Sequence, residues 1–153
     1  MNIYTGSYAN CQLGNLVSIS LDKGKSADFI GDSYIGLAPQ REFFRIWKDN
    51  KTLLSEDANN LYYMKEFYKK VLCNLDPKKV LEDLSQFGDN VIILCYENSD
   101  QFCHRHLVAA WLEKELNIKV PEIAIDSNGN TTILNRNTKY VEQFYEVMLS
   151  CDK

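Results

Sequence analysis

The sequence has no apolar run near the ~20 residues that a membrane-spanning helix needs. Its opening, MNIYTGSYAN, has neither the basic start nor the long apolar stretch of a secretory leader. There is no excess of positive charge: 17 Lys and Arg against 21 Asp and Glu leave a net charge of −4. A general nucleic-acid binder usually carries a basic face, so that class is not expected, whereas a local basic pocket stays compatible. The five cysteines, Cys11, Cys73, Cys95, Cys103 and Cys151, are odd in number and contain no Cys-x-x-Cys pair. This argues against a disulfide framework and against a structural zinc site, and in favour of a reduced, cytoplasmic protein. No GxSxG elbow is present, which leaves a Ser-His-Asp hydrolase without support. Repeats, low-complexity blocks and long linkers are absent as well, and 153 residues fit one domain.

What is present can build an ordinary core, with 45% apolar and 25% charged residues. Asn2 to Thr5 reads as a short strand stopped by Gly6. Leu16 to Leu21 alternates apolar and polar, the pattern of a half-exposed strand. The stretch YIGLAP, 34–39, reads as a short strand end closed by Pro39. Gln40 to Lys48 places Phe43, Phe44 and Trp47 at helical spacing. Ser55 to Asn74 predicts a helix, with Ser55 as N-cap and Glu56 and Asp57 in the first turn. Asp76 caps the next helix, with Pro77 at its first position and Gly88 just past its end. Val91 to Tyr96 is apolar without alternation, as suits a central parallel strand covered on both faces. A helix over Phe102 to Leu116 follows, then a strand over Ile118 to Ile125, a turn in DSNGNTT (126–132) and a helix over Thr138 to Leu149. Strands alternating with helices predict an α/β fold: a single three-layer domain with a mostly parallel sheet and helices on both faces.

Chemistry gathers where the central strand gives way to a helix. The loop from Glu97 to Phe102 leaves a strand's carboxyl end, the usual ligand position in open α/β sheets. It runs into Cys103-His104-Arg105-His106, which holds the only two histidines of the chain. Unpaired amides at the helix start favour an anion. Arg105 offers a fork of donors for phosphate or carboxylate. In the same field Cys103 gains thiolate character, His104 can relay a proton, and Glu97 can act as a base. The plainer readings stand beside these. Cys103 is equally a small packing residue, His104 and Arg105 can tie down the loop, and His106 reads as a surface or supporting residue. No metal ligands are assigned, since two neighbouring His and a Cys lack helical i, i+4 spacing. A Cys-phosphatase loop would need a Gly-rich turn between Cys103 and Arg105, which are only two apart.

The stretch IILCYENSDQFCHRHLVAAWL resembles the domain of unknown function 488 (DUF488) family. Members end a strand in a Leu-Leu-Cys-x-Glu type sequence and follow it with Cys-His-Arg; the matching positions here are Leu94, Cys95, Glu97, Cys103, His104 and Arg105. IYTGSYAN is similar to the family's first strand, with Ser7 as its small polar residue, and LAPQREFF and MKEFYKKVLCNLDPKKVLEDL are similar to further segments, Tyr68 among them. In place of the family's helix between the first two strands and its Asp-Val-Arg-like second strand, this chain has CQLGN and VSISLDKGK. The resemblance implies a pocket assembled from Tyr4, Thr5, Ser7 and Tyr8, from Pro39 and Arg41, and from Glu97, Cys103, His104 and Arg105. Aromatic walls with an Arg and helix amides suit a nucleotide or another ring-bearing phosphate.

Three expectations follow. The first is a protein that senses or sequesters a small phosphorylated molecule, foremost a nucleotide or its derivative. The second is an enzyme acting on a nucleotide or N-glycosidic substrate, with Glu97 as base, Arg105 holding phosphate, and Cys103 and His104 available for catalysis. The third is an interaction module whose Cys-His-Arg segment is structural. No cofactor and no membrane partner are expected, and homo-oligomerisation is left open.

Overall fold

Nothing polar interrupts the side chains from Val91 to Cys95, and all five are buried. A strand with two apolar faces must lie inside a sheet. The computed structural model, which describes residues 1–151, places it there. The strands are β1 (Asn2–Ser7), β2 (Asn15–Ser18), β3 (Asp32–Ser33), β4 (Asn90–Cys95), β5 (Glu122–Ile125) and β6 (Thr131–Leu134). They form one sheet in the order β3-β2-β4-β1-β5-β6. β4 pairs in parallel with β1 (Thr5 opposite Ile93) and with β2 (Val17 opposite Ile93). β5 adds in parallel beyond β1, and only β6 runs antiparallel. Among the described residues there are five α-helices: α1 (Arg41–Asp49), α2 (Glu56–Lys70), α3 (Pro77–Ser85), α4 (His104–Leu116) and α5 (Thr138–Cys151).

Local chemistry explains the helix ends. Ser55 caps α2, its Oγ accepting from the Ala58 amide at 3.2 Å, and Glu56 and Asp57 sit at the positive end of the dipole. Asp76 caps α3 in the same way through the Lys78 amide, with Pro77 at the first position. The predicted run to Asn74 stops earlier: α2 ends at Lys70, and Leu72–Asn74 form a 3-10 turn that buries Leu72. The expected strand end at YIGLAP is also corrected. Only Asp32–Ser33 pair with β2, after which Ile35–Leu37 turn to bury Leu37, and Pro39 has no amide to give to a ladder. The turn at 126–132 is present, with the Asp126 carboxylate accepting from the Asn128 and Asn130 amides and Gly129 at φ 85°. Its last two residues already belong to β6, an edge strand whose side chains are mostly exposed.

The two faces of the sheet are covered unequally. Val91, Ile93 and Cys95 point into the main core, to which all five helices contribute. Ile92 and Leu94 point to a smaller cluster with Tyr8, Cys11 and Ile123, flanked by Phe29 and Ile125. α4 is buried on every side from His104 to Leu112, as a helix is when it runs between layers. The architecture is α/β, a mostly parallel sheet in a three-layer arrangement. Among the described residues no helix is long and apolar enough to cross a membrane.

Candidate functional site

Because β1, β2 and β4 are parallel, their carboxyl ends open at one edge of the sheet. A cleft lies there, made of two adjoining hollows of about 560 and about 400 Å³ that share Trp47, Lys51 and Glu97. The floor comes from the strand ends: Ser20 after β2, and Cys95, Tyr96 and Glu97 from β4 and the loop beyond. α1 supplies the opposite wall. Phe44, Trp47 and Lys48 lie on one helical face at i, i+3 and i+4, and Lys51 follows in the next turn. Lys51 Nζ stands 4.2 Å from the centre of the Trp47 ring, and Lys48 Nζ stands 5.0 Å from that of Phe44. These cation–π contacts hold both ammonium groups above an aromatic wall.

Trp47 is anchored from behind. Its indole N–H donates to Asn60 Oδ1 at 3.2 Å, and its carbonyl accepts from Asn59 Nδ2 at 2.8 Å. Asn59 and Asn60 both border the larger hollow, and Asn59 Oδ1 and Asn60 Nδ2 are buried without a partner. Phe102 closes the far side and packs edge-on against Tyr63 and Tyr140.

Cys103 is the N-cap residue of α4, in extended conformation and buried. Its sulfur is bonded to that of Cys95, a single bridge where the cysteine count gave no sign of a disulfide framework. Cys95 ends β4 and Cys103 starts α4, so the bond spans the loop that carries Glu97. In this state Cys103 has no free thiolate to act as a nucleophile. His104 is buried, and its Nε2 lies 2.7 Å from the Ile19 carbonyl. Burial pushes the imidazole down to about 4, assisted by the charge of Arg105 and against the Ile19 hydrogen bond, so the ring is neutral near pH 7. A carbonyl only accepts, so Nε2 carries the hydrogen and Nδ1 keeps its lone pair.

Arg105 has no solvent exposure, and its donors are taken internally. Nε and Nη2 bind the two oxygens of Glu122 at 3.0 and 2.6 Å, and Nη1 donates to Cys95 Sγ at 3.4 Å. The Thr5 hydroxyl donates to Glu122 at 2.6 Å. The pair therefore ties α4 to β1 and β5, and the expectation that Arg105 presents its guanidinium to a guest is corrected. Burial raises the Glu122 carboxyl, but the Arg105 hydrogen bonds and charge, with Thr5, outweigh it and hold the group below its ordinary range. His106 is buried rather than at the surface, and its Nδ1 accepts from Arg136 at 2.7 Å. Burial first, then Arg105 and Arg136, push this imidazole down to about 3.

The remaining predicted site residues divide. Pro39 is buried and borders the smaller hollow. Tyr8 stands behind it, its hydroxyl 2.5 Å from Ser18 Oγ and 2.8 Å from Ser20 Oγ. Ser7 is buried and turns the chain, its Oγ accepting from the Asn10 amide at 3.2 Å. Tyr4 packs on the smaller core, and Arg41 is exposed at the start of α1; neither borders the cleft. Glu97, half-buried, borders both hollows and also the small recess that Cys103 and His104 line. Lys48, Lys51 and Trp47 went unrecognised as site residues, although FFRIWKDNK spaces them for it. Glu122 also went unnoticed; its one signal was a lone carboxylate in the apolar run IKVPEIAI.

Comparison with known proteins adds one finding. A family model described as the active DUF488-N3 subclade matches residues 16–116, which leaves Tyr4, Ser7 and Tyr8 outside the match. No curated protein and no solved structure matches.

Proposed function

The chain belongs to the DUF488 family, and on that premise we propose that it binds a small ring-bearing anion, foremost a nucleotide or nucleotide derivative, in the cleft at the carboxyl ends of β2 and β4. One observation carries this reading: two ammonium groups stand 4.2 and 5.0 Å above the Trp47 and Phe44 rings at the mouth of a cleft that also holds Glu97. The lysines held over the aromatic faces attract phosphate, and the ring of the ligand packs against the aromatic wall beside them. The hollows, about 560 and about 400 Å³, have the size of small-molecule sites. The unpartnered Asn59 Oδ1 and Asn60 Nδ2 add an acceptor and a donor on the same wall. Anchoring of the anion passes from Arg105 to Lys48 and Lys51.

The family model's description as an active subclade favours a second reading, in which the ligand is converted. Glu97 is then the base or the stabiliser of positive charge on a nucleotide or N-glycosidic substrate. Its side chain is half-buried and borders all three hollows, as Trp47 does.

Equilibrium dialysis against a nucleotide panel, with mass spectrometry of what is recovered, tests both readings. Unchanged ligand supports sequestration, and product that disappears with Glu97→Gln supports catalysis. Lys51→Ala is expected to weaken nucleotide binding about tenfold, or ~1.4 kcal/mol, while Arg41→Ala leaves it unchanged. A protein that retains no member of the panel sinks the proposal.

A further inference from the structure

We propose that Cys95, Cys103 and His104 form a binding site for one thiophilic divalent metal ion of the Zn²⁺ class, at the floor of the cleft. The reading stands apart from the identity of any ligand in that cleft. The two sulfurs and a ring nitrogen of His104 all lie within 4.8 Å of one another. His104 Nδ1, whose lone pair is free because Nε2–H is held by the Ile19 carbonyl, lies 3.9 Å from Cys103 Sγ. A backbone carbonyl that fixes the far nitrogen is the usual support of a metal-binding imidazole. Arg105 supplies the equivalent support on the other side, with Nη1 donating to Cys95 Sγ at 3.4 Å.

The backbone spacing agrees with this. The Cα atoms of Cys95 and Cys103 are 7.5 Å apart, beyond the roughly 4.4–6.8 Å that disulfides usually span. Two Zn–S bonds of about 2.3 Å at a tetrahedral angle hold their sulfurs about 3.8 Å apart, which a wide backbone gap accommodates. Sequence spacing showed no metal pattern because Cys95 lies on β4, eight residues before Cys103, and joins the other two only through the fold.

The chemistry balances with a dithiol as reductant. It transfers two electrons and two protons to the Cys95–Cys103 bond, giving two thiols, and becomes a disulfide itself. The ion then displaces both thiol protons to solvent and binds two thiolates and one neutral imidazole. Three protein donors leave a tetrahedral ion one open position, the pattern of catalytic rather than structural zinc. Cys95 and His104 line the smaller hollow, and Glu97 Oε2 is 3.6 Å from Cys95 Sγ. The open position therefore faces the cleft, next to a carboxylate able to hold a metal-bound water.

The test uses the full chain, reduced under anaerobic conditions and titrated with Co²⁺. The expected result is one equivalent bound, with a thiolate-to-cobalt charge-transfer band that Zn²⁺ abolishes. Cys95→Ser and Cys103→Ser should each lose most of that band, and His104→Gln should weaken binding at least tenfold. Cys73→Ser and Cys11→Ser should keep it. A reduced wild-type protein without the band overturns the proposal, as does a band that survives in both Cys95→Ser and Cys103→Ser. Where a variant fails to fold, the wild type decides: Zn²⁺ must protect Cys95 and Cys103, and not Cys73, from alkylation, and alkylation indifferent to Zn²⁺ overturns the site. Nucleotide binding can fail without affecting either readout.

Discussion

The Arg105 guanidinium clasps the Glu122 carboxylate through two hydrogen bonds of 3.0 and 2.6 Å, with both side chains sealed from solvent. Such a pair is costly to break because the survivor is left charged and unsolvated. Removing one partner of a buried pair costs ~3–5 kcal/mol, whereas replacing both with well-packed apolar groups can be neutral. Arg105→Met is therefore expected to lower the urea midpoint sharply, and Arg105→Met with Glu122→Leu to recover much of the loss. An unchanged midpoint in the single variant would mean that the clasp contributes nothing to the fold.

Acid should loosen the same clasp. Glu122 is held below the ordinary carboxylate range when folded and returns to that range, about 4.3, when unfolded. Above that value both states are ionised and its stabilisation is complete. As the pH drops below it, the unfolded chain takes up the proton first, so stability falls until the folded group is protonated too. Urea midpoints measured from pH 7 to pH 3 should drop more steeply for the wild type than for Glu122→Gln. Parallel profiles would remove Glu122 from the acid response.

Gly6 lies in β1 where a side chain has no room. A Cβ there would stand 2.5 Å from Cys11 Sγ and 3.2 Å from the Ile123 carbonyl. Gly6→Ala is expected to destabilise by ~1–3 kcal/mol through overpacking. Cys11→Ala should relieve part of that cost, so that a double-mutant cycle by urea unfolding shows coupling of the two sites. Strict additivity would mean that the carbonyl, and not the sulfur, sets the limit.

Thiol reactivity should follow burial and bonding. Cys73 and Cys151 are free and exposed, and Cys11 is free but buried. Burial pushes the Cys11 thiol up to about 11, which leaves little thiolate near neutral pH. Without reductant, iodoacetamide should label Cys73 and Cys151 first, Cys11 slowly, and Cys95 and Cys103 not at all. Peptide mass spectrometry checks the order, and early labelling of Cys103 would contradict the bond to Cys95.

Periodicity and capping made most of the architecture legible. The unbroken apolar run of β4, the Ser55 and Asp76 caps and the Pro77 start all announce elements that the fold contains. β6 stayed hidden because an exposed edge strand needs little apolar pattern, and its threonines read as part of a turn. The site was half legible. The strand-to-helix junction told where to look, since that follows from parallel pairing. It could not tell which way Arg105 points, because that depends on Glu122, which lies 17 residues later on β5. The Cys95–Cys103 pairing was hidden for a similar reason: neither cysteine belongs to a local motif, and only the return of α4 over β4 brings them together.

The encasement of α4 sets a hierarchy of motion. Its amides between His104 and Leu112 have no face open to water, so isotope exchange there must await a sub-global or complete opening of the domain. α1, which carries Trp47 and Lys48 and leads into the turn that carries Lys51, buries only Phe43 and Trp47. The cleft is thus bounded on one side by the most completely buried of the described helices and on the other by α1, where Trp47 is held by Asn59 and Asn60 while the Lys48 and Lys51 side chains are exposed, so a guest can rearrange the lysines while Cys103 and His104 stay in register.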